Sequence, residues 1–418
     1  MSNDLRVLKQ EFRDILLNRD VIAVDQDPLG IMGKLVRRPV TPVHDGNSSY
    51  AVAVVNTHVH KDKYGFYKAL VEDGFLAAGY NRIHIDDCWM EPHRDDFGKL
   101  KADHIRFPSG IKQLAKYMHD RKLELGIYAD FGTTTCMGFP GSINHLKVDA
   151  MTFAKWNVDY LKMDGCHAEL NQMVDGYARM ERALNLTGRP IVFSCSYPYY
   201  FLEKGVKLDF TPTPKSCNLW RFFTDIEGSW RSIASVIHYV DDFQDMLAAV
   251  QRPGAWNDMD MIVAGLGSVT PDQARVQMTL WSMWSSPLIM SNDLRTLSPE
   301  FRKILQNRDV IAIDQDPLGI MGKLVRKNSN VRIYAKPVTP VINGLTSFAV
   351  AVVNMHESAV EEVRFTFESL GLVNIGGYYL RNLWTGLRRC EAAPKYCAKA
   401  EGLLGIVPTR EFASVESR

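Results

Sequence analysis

The chain has 418 residues, of which 46% are hydrophobic and 23% charged, and its formal net charge at pH 7 is +1. These values are ordinary for a globular protein and exclude extensive disorder or a collagen-like repeat. The balanced charge gives no electrostatic reason to expect nucleic acid as a partner. Because no run of about 18 apolar residues is present, we expect no membrane span. The length predicts two or three domains.

Two distant segments of the chain are near copies of each other. Residues 1–38 recur at 290–327 with 31 of 38 positions identical, and the match then continues to residue 58 after a nine-residue insertion in the second copy. Two separated copies cannot stack as a solenoid does. We therefore interpret 1–58 as a partial duplicate of 290–356, derived from a neighbouring homologous unit or an incorrect gene assembly, and not as an independent domain.

The central part of the chain, residues 59–325, alternates short apolar runs with longer amphipathic stretches. The runs are 81–86, 123–130, 158–164, 190–196, 217–222, 255–263 and 286–293. Strand–helix alternation at this spacing predicts an α/β fold with a parallel sheet and crossover helices. Seven runs suit a (β/α)8 TIM barrel whose first strand is missing. A doubly wound open sheet is the alternative, although no G-x-G-x-x-G follows any run.

The residue pattern of the sequence changes after residue 325. Residues 326–418 contain short segments rich in β-branched and aromatic residues, separated by turn residues. This pattern predicts a C-terminal domain built as an antiparallel β-sandwich.

Polar clusters follow nearly every run of the central part. They comprise Asp86 with Asp87, Tyr128 with Asp130, Lys162 with Asp164, Ser194 with Ser196, Arg221 with Asp225, and Asp258 with Asp260. One such aspartate can be a helix N-cap, but six clusters predict a carboxylate-rich pocket at the carboxyl ends of the strands.

Three kinds of chemistry can use such a pocket. The aspartates can ligate a hard cation, but Lys162 and Arg221 in the same ring oppose a divalent ion, and we expect no metal or other cofactor. A Ser/His/Asp site is not indicated, since no G-x-S-x-G is present. Glycoside hydrolysis by two carboxylates fits best, with Trp89, Tyr128 and Trp256 as candidates to pack on a sugar face; core packing of the two tryptophans is the alternative.

Nine motifs occur in order along residues 65–418. They are HIDDCW, LGIYAD, TCMGFPG, LKMDGC, SCSYP, CNLWRFFTDI, WNDMDM, SPLIMSNDLR and DQDPLG. Together they resemble the family 27 glycoside hydrolases, which comprise lysosomal α-galactosidases and α-N-acetylgalactosaminidases. The resemblance implies a retaining exo-glycosidase that removes terminal α-linked galactose or N-acetylgalactosamine from glycolipids, glycoproteins or oligosaccharides.

The resemblance also implies roles for individual residues. Asp164 in LKMDGC matches the nucleophile, and Asp225 in RFFTDI matches the general acid/base. Retaining enzymes hold these two carboxyl groups about 5–5.5 Å apart. The matching sugar-binding positions are Asp86, Asp87, Tyr128, Lys162, Arg221 and Asp260.

Substrate choice is expected to depend on the loop after the fifth strand of the complete barrel. Ser196 resembles the type that tolerates an N-acetyl group, whereas the bulky Tyr199, three positions on, differs from the small residue of that type. We expect α-N-acetylgalactosaminides to be accepted, with α-galactosides as the alternative.

The chain contains seven cysteines. By the resemblance, the disulfide pairs are Cys136–Cys166 and Cys195–Cys217, and Cys390 with Cys397 is a candidate third pair. Cys88 is left over, because the segment that carries its partner in the family, after the first barrel strand, is absent. The odd cysteine and the seven strands both indicate loss of that strand. The segment AVAVVN at 51–56 has strand character, and we hypothesise that it occupies the vacant position.

The expected disulfides imply an oxidising compartment, and the resemblance implies a lysosomal setting and a homodimer. Sequons at Asn47 and Asn185 agree with a secretory route, although the sequence as given shows no signal peptide at its start. Two other functions are kept as alternatives. One is an inactive or mispredicted family member with residual sugar binding, and the other is a Ca²⁺-dependent lectin.

Overall fold

The computed structural model describes part of the chain, namely residues 69–342, 344–372, 378–386, 388–391, 395–399 and 401–408. The described residues divide into two compact units. The first comprises 69–225, 258–263 and 287–298, and the second comprises 226–257, 264–286 and the described residues from 299 onward. The antiparallel strands begin at Lys323, close to the domain boundary expected after residue 325, which stays a prediction.

A six-stranded parallel sheet follows the order of the sequence. Its strands are β1 Arg82–His84, β2 Glu124–Asp130, β3 Tyr160–Asp164, β4 Val192–Cys195, β5 Leu219–Arg221 and β6 Trp256–Asp258. The described helices are α1 Gly110–His119, α2 Leu146–Lys155, α3 Leu170–Asn185, α4 Tyr197–Glu203, α5 Thr213–Ser216, α6 Trp230–Val250, α7 Pro271–Met283, α8 Pro299–Leu305 and α9 Arg308–Asp314. Strands in sequential order with intervening helices confirm the predicted fold class.

The strands formed by the apolar runs are buried along most of their length. Strand β2 is buried from its second residue to its end, without the alternation of a half-exposed strand, as is typical of parallel sheets covered on both faces. Its register continues into β3, where Gly126 faces Tyr160 and Asp130 faces Asp164. The carboxyl ends of these two strands therefore lie side by side.

The seventh predicted run, 286–293, is not a strand. It makes one isolated parallel bridge, between Met290 and Ile262. The backbone N–H of Ile289 donates to the carbonyl of Pro287, which bends the run into a tight turn instead of an extended segment. Among the described residues the parallel sheet thus has six strands, one fewer than the runs predict.

The predicted antiparallel C-terminal fold is confirmed. One sheet has the order β12-β11-β14-β9-β8-β7 and a second pairs β10 with β13. The strands are β7 Lys323–Lys327, β8 Val331–Ile342, β9 Leu345–Asn354, β10 Glu362–Thr366, β11 Tyr378–Asn382, β12 Arg388–Glu391, β13 Lys395–Lys399 and β14 Glu401–Pro408. A shared apolar core joins residues of both sheets, including Val350 of β9, Phe365 of β10 and Leu380 of β11.

Of the two sequence copies, the second lies among the described residues. The second copy, 290–356, forms α8, α9, β7, β8 and β9. Its AVAVVN segment, 349–354, lies in β9 between β8 and β14. The first copy, including the AVAVVN segment at 51–56, lies outside the described residues, and so does the hypothesis that it replaces the first barrel strand.

Candidate active site

The carboxyl ends of the parallel strands carry the polar residues that the sequence singles out. Asp164 is the last residue of β3, Arg221 the last of β5 and Asp258 the last of β6. Parallel strands bring these ends to one edge of the sheet. A cavity at this edge is lined by Asp86, Lys162, Ser194, Arg221, Asp258 and Asp260, among others.

Asp164 is held by hydrogen bonds to both carboxylate oxygens. The hydroxyl of Tyr200 donates to Oδ1 at 2.6 Å, and the hydroxyl of Tyr128 donates to Oδ2 at 3.2 Å. The backbone N–H of Gly165 donates to Oδ1 at 3.1 Å. Donors to an ionised carboxylate stabilise its charge and fix its orientation. The arrangement suits a nucleophile that must attack along one direction.

Lys162 places a positive charge between carboxylates. Its Nζ donates to Oδ2 of Asp86 at 2.7 Å and lies 5.1 Å from the ring centre of Tyr128. Burial alone would lower the pKa of Lys162, but the charges of Asp86, Asp164 and Asp225 raise it overall. The charges of the three aspartates together therefore favour the positively charged form of Lys162.

Asp87 lies beside Asp86 and is held by the loop that follows β2. It accepts from the backbone N–H of Cys88 at 2.6 Å and of Met137 at 3.2 Å. Burial raises the pKa of Asp87, although a hydrogen bond from Thr135 opposes the shift. Asp86 lines the cavity, and Asp87 lies directly beside it; the sugar-binding role expected for both stays a prediction.

Arg221 bridges two further aspartates. Its Nη2 lies 2.9 Å from Oδ1 of Asp225 and 3.0 Å from Oδ2 of Asp260. The side chain of Asp225 is 79% exposed, whereas that of Asp260 is 3% exposed. Burial would lower the pKa of Arg221, but the charges of Asp260 and Asp225 raise it. Arg221 thus binds one carboxylate that is exposed to solvent, Asp225, and one that is buried, Asp260.

The backbone at Asp260 is unusual. Its φ is +67°, in the region that favours glycine, and its N–H donates to Oδ1 of the buried Asp258 at 2.9 Å. Such backbone strain is concentrated at functional sites. Asp258 therefore supports this turn.

Ser196 and Tyr199 lie at the start of α4. Ser196 is the N-cap residue of the helix and is buried. Tyr199 is half-buried, its ring meets that of Tyr200 edge-on at 5.3 Å, and its hydroxyl donates to Glu203 at 3.2 Å. The aromatic pair therefore forms one wall beside Asp164.

The described residues contain both disulfides that the resemblance implies. Their pairs are Cys136–Cys166 and Cys195–Cys217. The first connects the loop after β2 to the loop after β3. These loops lie so close that a Cβ at Gly132 would be 1.8 Å from the carbonyl oxygen of Cys166. Cys88 belongs to neither pair.

Four groups that can ligate metals lie within 4.8 Å of one another, namely Asp130, Cys136, Asp164 and Cys166. The two sulfurs form a disulfide, and metal ligation by cysteine requires a thiolate. The cluster therefore offers a metal only two carboxylates.

Sequence reasoning missed Tyr200 as a site residue. Its position four residues after Ser196 places both on one face of a helix, which is the signal that could have found it. Asp130 was noted at a strand end but given no role. It is completely buried, and it accepts from the backbone N–H of Gly132 at 2.6 Å and of Cys166 at 3.0 Å.

The two tryptophans proposed as sugar platforms pack in the core instead. Trp89 is 1% exposed and donates from Nε1 to the carbonyl of Tyr128 at 2.8 Å. Trp256 is 4% exposed. Neither leaves an open ring face, so the core-packing alternative is the better description of both.

The chain is similar in sequence to a known family of proteins. The family described as alpha galactosidase A matches residues 57–316. Alpha-galactosidase A from Homo sapiens is 47% identical over 289 residues, which cover 69% of this chain and 66% of the human protein. Alpha-N-acetylgalactosaminidase from Gallus gallus is 45% identical over 282 residues, which cover 67% of this chain and 70% of that protein. The matched region thus spans slightly less than two thirds of the human relative.

The chain is also similar in structure to a solved enzyme. Alpha-galactosidase I from Mortierella vinacea aligns with a TM-score of 0.73 and 26% sequence identity, over 82% of this chain and 92% of that one. Within the described part of the chain, every helix is too short or too polar to cross a bilayer.

Proposed function

The chain belongs to the alpha galactosidase A family, and from this premise we propose that it is a retaining, exo-acting α-glycosidase. Its substrates are glycoconjugates that end in α-linked galactose or N-acetylgalactosamine. The observation that carries the proposal is the carboxylate of Asp164, which two tyrosine hydroxyls orient in a pocket shared with Lys162 and Asp225.

The reaction proceeds by double displacement. Asp164 attacks the anomeric carbon while the bond to the glycosidic oxygen breaks, and Asp225 donates its proton to that oxygen. Asp225, now ionised, removes a proton from a water molecule that attacks the anomeric carbon of the glycosyl-enzyme. Asp164 then leaves as a carboxylate. The net result is hydrolysis with retention of configuration.

The environments of the two aspartates support these roles. Asp164 accepts three hydrogen bonds, which fix the orientation of the carboxyl group that attacks. Asp225 is mostly exposed and bonded to Arg221, so it can exchange protons with water. We expect a carboxyl separation of about 5–5.5 Å in the complex with substrate.

The remaining pocket residues bind the sugar in this proposal. Asp86, Asp87 and Asp260 accept hydrogen bonds from hydroxyl groups, while Lys162 and Arg221 donate to sugar oxygens. Ser196 offers no carboxylate to a 2-hydroxyl, which supports acceptance of an N-acetyl group at that position. Tyr199 narrows the same space. We therefore propose N-acetylgalactosaminides as substrates together with galactosides.

The proposed setting is the lysosome, reached by the secretory route, with a homodimer as the active form. Two disulfides support an oxidising compartment during folding. The sequon asparagine Asn185 is exposed at the end of α3, so it is accessible to glycosylation. Enzymatic removal of a glycan from wild type, but not from an Asn185→Gln variant, checks this part of the proposal.

Hydrolysis of chromogenic α-galactosides and α-N-acetylgalactosaminides by the full chain tests the function. The control is Asp164→Asn, which keeps the shape of the side chain but removes the nucleophile. We expect turnover by wild type and a loss of at least roughly 10⁴-fold in kcat for the variant. A folded wild-type chain that hydrolyses neither substrate would disprove the proposal.

A further inference from the structure

A hairpin-like excursion follows the two adjacent aspartates of the pocket. The backbone N–H of Asp103 donates to the carbonyl of Trp89 at 2.9 Å, and that of Asp95 donates to the carbonyl of Lys99 at 2.9 Å. We call residues 89–103 the site hairpin. It begins two residues after Asp87, Trp89 at its base donates to the carbonyl of Tyr128 at 2.8 Å, and its tip lies at 95–99.

The tip of the site hairpin is fixed to the barrel unit. Arg94 donates to both carboxylate oxygens of the buried Asp149 at 2.6 and 2.7 Å, and to the carbonyls of Gly98 and Gly141 at 2.9 and 2.7 Å. Asp95 accepts from the N–H groups of two tip residues at 2.8 and 2.9 Å. The tip is therefore held in a defined position instead of hanging as a loose loop.

This fixed tip presents apolar side chains to solvent. Phe97 is 79% exposed, and Ile105, just beyond the hairpin, is 68% exposed. Burying a phenylalanine or isoleucine of this exposure in an apolar phase is favourable. Single exposed apolar residues are common on protein surfaces, so the significance of this pair depends on what surrounds it.

Four lysines lie near the tip of the site hairpin. A groove of about 560 Å³ beside the tip is lined by Lys99, Lys101, Lys112 and Lys155, and all four side chains are exposed. Nζ of Lys99 lies 5.3 Å from the ring centre of Phe97. Basic residues interleaved with exposed apolar ones are typical of surfaces that bind anionic membranes.

Most acidic residues of this region are turned toward the protein itself. Glu91 accepts from the backbone and the ring of His104 at 2.9 and 2.7 Å. Asp103 accepts from the N–H groups that follow it at 2.7 and 2.9 Å. Asp96 at the tip is exposed. Asp95 also lines the groove. The four lysines outnumber Asp95 and Asp96, and the surface is complementary to negative charge.

We propose that the tip of the site hairpin, with Phe97, Ile105 and the lysines of the groove, docks on an anionic lipid bilayer. Because the hairpin begins two residues after Asp87, docking would bring the pocket close to headgroup sugars at the membrane surface. The approach of the pocket to headgroup sugars rests on the proposed function, and it makes membrane glycolipids the substrate class whose hydrolysis docking would promote.

Vesicle sedimentation of the full chain tests the docking itself. Two vesicle types are compared, phosphatidylcholine alone and phosphatidylcholine mixed with phosphatidylserine. We expect binding to the mixed vesicles and little to the neutral ones. Lys99→Glu/Lys101→Glu should weaken binding at least about thirtyfold, since each cation near such a surface contributes about fivefold. Phe97→Ser/Ile105→Ser should remove the binding that resists added salt.

The control is Leu186→Ser, whose leucine is 80% exposed elsewhere on the same unit; it should bind like wild type. Equal binding to both vesicle types, or binding that neither double variant weakens, would overturn the proposal. Absence of binding to any vesicle would do the same and would leave an acidic protein as the ligand of this surface.

Activity measurements separate this proposal from the proposed function. All of these variants should hydrolyse a soluble chromogenic substrate at the wild-type rate, whereas hydrolysis of a glycolipid embedded in anionic vesicles should fall with vesicle binding. Hydrolysis of the soluble substrate without vesicle binding refutes docking alone. Vesicle binding without any hydrolysis refutes the function alone.

Discussion

The hydroxyl of Tyr200 donates to Oδ1 of Asp164 at 2.6 Å. Hydrogen bonds to charged groups contribute about 1.5–3 kcal/mol, so Tyr200→Phe should lower kcat by roughly ten- to a hundredfold with little change in KM. Steady-state kinetics on a chromogenic substrate checks this. Tyr199→Phe is the matched control, because its hydroxyl bonds to Glu203 instead. Equal losses in both variants would contradict the assigned role of Tyr200.

Tyr199 offers a second prediction at this scale, because its ring lies against Tyr200 beside the nucleophile. Tyr199→Ala should enlarge the space near the sugar 2-position and raise the ratio of kcat/KM for N-acetylgalactosaminides over galactosides by about tenfold. Parallel assays on the two chromogenic substrates measure the ratio. Tyr199→Phe keeps the bulk and should leave it unchanged; a shift in the phenylalanine variant would refute the steric explanation.

Residues at strand ends could be predicted because the strand fixes where they lie. Lys162 and Asp164 share one strand, and the period-two alternation puts both on the same face, so the sequence alone predicts that their side chains lie on one side of the sheet. Tyr200 could not be placed in this way. Its contact with Asp164 depends on the direction of α4, which the packing of α4 sets and no local pattern reveals.

At the scale of elements, six of seven apolar runs form the strands that they predict. The exception, 286–293, has the composition of a strand but makes only one bridge, because a turn at Pro287 interrupts it. The hydrophobic residues of the run predict that it is buried. They do not predict the turn, since Ser-Pro-Leu-Ile also fits the start of a strand. The loops after β2 and β3 were predicted as disulfide-linked only through the family resemblance.

Asp130 connects those two loops, since it accepts from the N–H groups of Gly132 and Cys166. Burial, and then the charge of Asp164, raises the pKa of Asp130 from 3.8 to about 8. The folded chain therefore keeps a proton that the unfolded chain releases between these values. The stabilising contribution of Asp130 is complete below about pH 4 and is lost as the pH rises toward 8.

Asp130→Asn removes this titration. We expect its Tm relative to wild type to increase steadily from about pH 4 to pH 8, on top of a constant offset from altered hydrogen bonds. Thermal unfolding across this range measures the difference. The exposed Asp96→Asn variant serves as the control and should follow wild type. A Tm difference that is independent of pH would show that Asp130 does not titrate in this window.

At the scale of the whole molecule, the near-identical copies raise a question that their sequences cannot answer. Residues 51–56 and 349–354 both read AVAVVN, so any local property predicts the same structure for both. In the second copy this segment is a central strand of the antiparallel sheet. Only one place for such a strand exists between β8 and β14, and the second copy fills it. Tertiary context must therefore decide what the first copy does.

The same substitution in each copy distinguishes the two hypotheses for residues 1–58. Val350 is completely buried in the shared core of the antiparallel sheets, so Val350→Asp buries an unpaired charge and should cost more than about 3 kcal/mol of stability. Val52 is its counterpart in the first copy. If 1–58 is a stray duplicate, as we expect, Val52→Asp should leave the denaturant midpoint within the scatter of wild type. A comparable loss at Val52 would mean that the first copy contributes a buried strand, as the hypothesis that it replaces the first barrel strand requires. A charge destabilises a segment only where water is excluded from it.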